Sequence, residues 1–119
     1  MNKKTRNIVG WLLTGFVALI LLASGGFKLS GGNPEMIAGI GGETNLVILG
    51  VLEIVIVVLL LIPKTAIIGT LLAVAYMGGA IAVHFTGGQP LMVPVLIEIL
   101  IWIAAFVRLP ELSQRILTK

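Results

Sequence analysis

The chain has 119 residues, of which 58% are hydrophobic and only 11% charged, with a mean hydropathy of +1.14 and a net charge of +3. A water-soluble domain of this length has no need of so much apolar surface, which leaves a polytopic membrane protein of four crossings with almost nothing outside the bilayer. The bases gather at the ends of apolar runs and form no stripe, which excludes nucleic acid as a partner, and the lack of cysteine excludes dithiol chemistry, thiolate metal sites and disulfides.

Residues 1–7 form a short basic leader with Lys3, Lys4 and Arg6. The first apolar run is 8–29. A basic start, an apolar stretch and Ala23-Ser24-Gly25 also fit a signal peptide. The run is long for that role, and without it three crossings would remain, so it is read as a retained helix. The longest loop is 30–44. Within it Asn33-Pro34-Glu35 predicts a helix start, and Gly41-Gly42 its end. Met36, Ile37 and Ile40 give this short helix an apolar face that suits the membrane surface.

The second crossing, 45–62, is an apolar run with one acid, Glu53, near its middle. As a helix it is roughly 27 Å long, about the thickness of a bilayer's hydrocarbon core. Pro63 stops it and Lys64-Thr65 turns the chain. The third crossing, 66–85, is rich in small residues. The pairs Gly69/Ala73, Ala75/Gly79 and Gly78/Ala82 are spaced for close helix contact in lipid and lie on several faces. The fourth crossing is 91–107, with Pro94 near its start. The tail 108–119 is expected to be helical along the surface, with Leu109, Leu112 and Ile116 on its apolar side and Arg115 and Lys119 in water.

Lys3, Lys4, Arg6, Lys64, Arg108, Arg115 and Lys119 fall on one side of such a bundle, and only Lys28 lies toward the other. The positive-inside rule then puts both termini in the cytoplasm of a cell-membrane protein. An internal repeat is also visible. Lys28-Leu29-Ser30-Gly31-Gly32-Asn33-Pro34 aligns with His84-Phe85-Thr86-Gly87-Gly88-Gln89-Pro90, and Leu52-Glu53-Ile54 echoes Ile97-Glu98-Ile99. Both copies start inside, so the expected relation is a parallel two-helix repeat about an axis along the membrane normal.

This arrangement stands two bases, Lys28 and His84, above two acids. Glu98 lies roughly 10 Å and Glu53 roughly 12 Å along their helices from the outer face. An intramembrane carboxylate costs several kcal/mol unless it is protonated, paired or facing a cavity, so intramembrane acids point to function. Glu53, Glu98, Lys28 and His84 are the ligand-binding candidates, with a structural polar lock between helices as the competing role. Tyr76 is about 80° off the face of His84, Ala80 and Met77 and reads as packing, with a place at the site as its other role. Trp102, one turn beyond Glu98, could line the same cavity or pack in the core. Trp11 reads as an interfacial belt residue. One histidine and two glutamates are too thin a set for a metal.

Ser24-Gly25-Gly26-Phe27-Lys28-Leu29, then Leu49-Gly50-Val51-Leu52-Glu53 with Leu61-Ile62-Pro63-Lys64, then Gly79-Ala80 with His84, resembles the DoxX-like family of small four-helix membrane proteins over nearly the whole chain. The family is named for a membrane subunit associated with thiosulfate:quinone oxidoreductase, and other relatives are linked to oxidative-stress complexes or act as assembly factors. The resemblance implies a four-helix membrane bundle with a redox or quinone connection, and it adds Ser24 to the site candidates.

Three functions follow as expectations. The first is a redox-linked accessory subunit holding a quinone or lipid-like molecule by its polar head. The second is an assembly factor or interaction protein that offers its helix faces to a protein partner or a second copy. The third is a small proton-coupled transporter. It ranks last, because four-helix multidrug exporters resemble one another by a Glu in the first helix, where this chain has Thr14 and no acid.

Overall fold

The computed structural model describes residues 2–117. Among them every regular element is a helix: α1 (Lys3–Leu29), α2 (Pro34–Ile40), α3 (Glu43–Leu61), a 3-10 turn (Pro63–Thr65), α4 (Ala66–Thr86), α5 (Met92–Arg108) and α6 (Pro110–Leu117). Lys119, one of the basic residues used for orientation, lies outside the described residues.

Helix α1 begins five residues before the apolar run. Asn2 explains this: its side chain accepts the Thr5 N–H at 2.8 Å, a cap strong enough to wind the basic leader into the helix. Helix α2 starts as its sequence predicts, with Asn33 accepting the Met36 N–H at 2.8 Å, Pro34 in the first turn and Gly41 left-handed at the end. Helix α3 starts two residues early, at Glu43, after Gly42 turns with φ +126°. It ends at extended Ile62, the backbone that a following proline demands.

Helix α1 packs on α3 and α5, and α4 packs on the same two partners. Val17, Leu21, Ile56, Val57, Leu60, Ala73, Met77 and Ile101 fill the centre. The outside is apolar: Leu12, Leu19, Ile68, Leu71, Met92 and Val93 are all exposed. Helices α1, α3 and the turn-plus-α4 segment Pro63–Thr86 are long and apolar enough to cross a membrane, and α5 with α6 makes a fourth such segment if that pair is counted as one span. The pair is bent by 102°, where Pro110 interrupts the helix after Leu109. The tail therefore turns back under the bundle. Leu109 and half-buried Leu112 pack against Ala66 and Ala105, while Arg115 and Ile116 stay exposed.

Contacts between these helices are made by small residues. A Cβ placed on Gly69 would stand 2.7 Å from the Leu60 nitrogen, so only glycine lets α4 lie against α3 there. Of the three small pairs in this helix, Gly69/Ala73 is buried, whereas Ala75, Gly79 and Ala82 are exposed.

Candidate functional site

Helices α1 and α3 touch at Gly25 and Gly50. A Cβ on Gly25 would lie 3.1 Å from the Gly50 carbonyl oxygen, and one on Gly50 would lie 3.0 Å from Leu29 Cγ. This close approach brings the last turns of α1 onto the middle of α3. Ser24 and Lys28, one turn apart, then face Glu53.

All three donors around the acid converge on one oxygen. Lys28 Nζ donates to Glu53 Oε1 and forms an ion pair with it. Ser24 Oγ donates to the same oxygen at 3.1 Å and accepts from Lys28 Nζ at 2.6 Å. The Tyr76 hydroxyl, arriving from α4, donates to it as well. Glu53 is 1% exposed, and the Lys28 side chain 12%. The other carboxylate oxygen, Oε2, is buried and has no hydrogen-bond partner among the described residues. The site therefore joins α1, α3 and α4 through one atom.

The remaining candidates stand apart from this cluster. His84 turns back on its own helix, its Nδ1 2.7 Å from the Ala80 carbonyl oxygen. A carbonyl can only accept, so Nδ1 carries the hydrogen. Glu98, half-buried on α5, faces α4: its Oε2 would lie 3.9 Å from a Cβ on Gly78. Its Oε1 is buried without a partner among the described residues. Trp102 packs edge-on against Phe106, ring centroids 6.1 Å apart. Among the described residues no group of three or more His, Asp or Glu side chains is placed to hold a metal.

The two aligned loops also differ in register. Both helix ends close with the same pair of backbone bonds, Gly31 to Lys28 and Gly32 to Phe27 in the first, Gly88 to Phe85 and Gln89 to His84 in the second. Against the sequence alignment the second set comes one residue late. Lys28 is thus two places before the cap of its helix and His84 three, which turns the two bases about 100° apart around their helix axes. This is the physical reason His84 does not do at α4 what Lys28 does at α1.

Tyr76 was the residue hardest to foresee. Its angle to His84 made it look like packing, but the acid it serves belongs to α3, on a different side of α4. Ser24 carried a signal, since a hydroxyl one turn before a lysine shares its face. No family model, curated protein or solved structure matches the chain.

Proposed function

We propose that the chain is an accessory subunit of a membrane complex, built as a four-helix transmembrane bundle of α1, α3, α4 and α5 in the cell membrane with both termini in the cytoplasm. The run of bases at one end of the helices supports that orientation, and the resemblance to the DoxX-like family supports a redox-linked setting. One observation carries the functional reading: the donors of Lys28, Ser24 and Tyr76 are all turned inward onto a single oxygen of a buried acid. Polar side chains spent on one another fix three helices in place and leave the apolar exterior as the surface for a partner. In lipid this matters, because apolar burial does not drive helices together there; packing and polar bonds do.

A second reading rests on Glu53 Oε2, which has no partner among the described residues. A carboxylate oxygen accepts only, so a head group that met it would have to be a donor. A quinol hydroxyl fits, and a quinone carbonyl would have to turn to Lys28 instead. The parallel repeat is likewise our reading. The shared loop bonds support it, with the second copy altered by the one-residue shift.

Thermal unfolding of the purified chain in lipid nanodiscs tests both readings. For the lock, Glu53→Gln and Tyr76→Phe lower the midpoint and added quinol changes neither wild type nor mutant. For the quinol site, wild type is stabilised by quinol and Glu53→Gln loses that response. Native mass spectrometry of the protein from its own membrane looks for the partner; a chain that extracts only as a monomer would defeat the accessory role.

A further inference from the structure

The opposite end of the helices holds a buried charge with no acid beside it among the described residues. Arg108, the last residue of α5, is 8% exposed. Its guanidinium carbon lies 3.9 Å from the centroid of the Trp11 ring, and its Nη1 donates to the Leu60 carbonyl of α3. Nη2 is buried and has no hydrogen-bond partner among the described residues. The side chain is held firmly, because α1 and α5 meet here backbone to backbone: a Cβ on Gly10 would stand 2.7 Å from Arg108 Cα.

A small void of about 10 Å³ adjoins this group, lined by Arg108, Thr14 and Thr70 with apolar walls that include Val17, Leu60 and Ile101. The two threonines differ. Thr70 spends its proton on the Ala66 carbonyl at 2.8 Å. Thr14 is 4% exposed and its hydroxyl makes no hydrogen bond among the described residues. The groups left to serve the void are therefore an arginine N–H and a hydroxyl, both donors. A positive charge without a counter-charge is costly in so dry a place. Arg6 adds to it, donating to the Val107 and Phe106 carbonyls at the same end of α5.

We propose that Arg108 and Thr14 hold a single halide ion, chloride being the physiological one, between α1 and α5. The donors call for an acceptor, the charge calls for an anion, and a volume near that of one water-sized probe leaves no room for phosphate, sulfate or a carboxylate. The ion accepts from Arg108 Nη2 and the Thr14 hydroxyl, and the void's apolar walls shield it from water. This inference is independent of the Glu53 cluster and of the accessory role.

The test uses the full chain in detergent micelles. Unfolding midpoints are measured against bromide at constant ionic strength, with gluconate as the replaced anion, and crystals grown in bromide are examined for anomalous scattering. The midpoint should rise with bromide and saturate, and an anomalous peak should lie beside Nη2 and the Thr14 hydroxyl. Thr14→Val keeps the shape and removes the donor, and should raise the half-saturating bromide concentration by about tenfold. Thr14→Ser should restore the wild-type response, and exposed Lys64→Gln should leave it alone. Equal midpoints in bromide and gluconate would overturn the proposal. So would a response unchanged in Thr14→Val, or density at the site without an anomalous signal, which would mark a neutral water.

Discussion

Glu53 and Lys28 are unequal partners, and substitution should expose the difference. Glu53 is 1% exposed, whereas the Lys28 side chain sits nearer the helix end at 12%. Removing the acid leaves a lysine that can swing its ammonium outward along its flexible stem. Removing the lysine leaves a carboxylate with nowhere to go. Lys28→Met should therefore cost more than Glu53→Gln, about 3 kcal/mol against roughly 1–2 kcal/mol, the larger value being at the low end for breaking a buried pair. The double substitution should recover most of the larger loss. Tyr76→Phe should cost about 1 kcal/mol, within the range of polar bonds measured in membrane helices. Equilibrium unfolding of the four proteins in one detergent checks all three values, and equal costs for Lys28→Met and Glu53→Gln would contradict this account of the pair.

At the scale of the helices, the glycines separate into those that position the site and those that do not. Gly69 and Gly79 look alike in the sequence, each in a small pair four residues apart. A Cβ on Gly69 would press on the α3 backbone at 2.7 Å, whereas one on Gly79 meets nothing within 4 Å. Gly69→Ala should thus destabilise by about 1–3 kcal/mol, the usual cost of overpacking. Gly79→Ala should stay within about 0.5 kcal/mol of wild type. Because Gly69 sets how α4 lies on α3, its substitution should also pull the Tyr76 hydroxyl from Glu53. A tyrosine ultraviolet difference spectrum that changes in Gly69→Ala and not in Gly79→Ala would report it.

For the molecule as a whole, the apolar helices, their order and the turns at Asn33-Pro34 and Pro63 were legible in the sequence, because length, hydropathy and caps are local properties. Glu53 and Lys28 were legible too, since a charge within an apolar run needs a partner. Which lysine, hydroxyl or phenol would supply it was not legible. That depends on how helices rotate against each other, as the one-residue shift between the two loops and the placement of Tyr76 both illustrate. Arg108 read only as a topological charge; its burial follows from the bend at Pro110 and the close approach at Gly10, which no local pattern announces. The orientation remains a whole-molecule prediction. Reporter fusions after α6 should be active only when exposed to the cytoplasm, and fusions in the loop bearing α2 only when exposed to the outside. Reversed activities would place the Lys28 end of the molecule in the inner leaflet.

The clamp of Arg6 on the carbonyls of Val107 and Phe106 also fixes an order of assembly during biosynthesis. Arg6 and Val107 are 101 residues apart in the chain. At translation rates of 5–20 residues per second, the N-terminal helix waits about 5–20 s before the helix that covers it has been made. Throughout that interval Gly10, Thr14 and an arginine stand open on the first helix to leave the ribosome, while α3 and α4 can already close on each other as a hairpin. The first segment made is thus among the last to be finished, and the contact that completes it joins the two ends of the nascent chain.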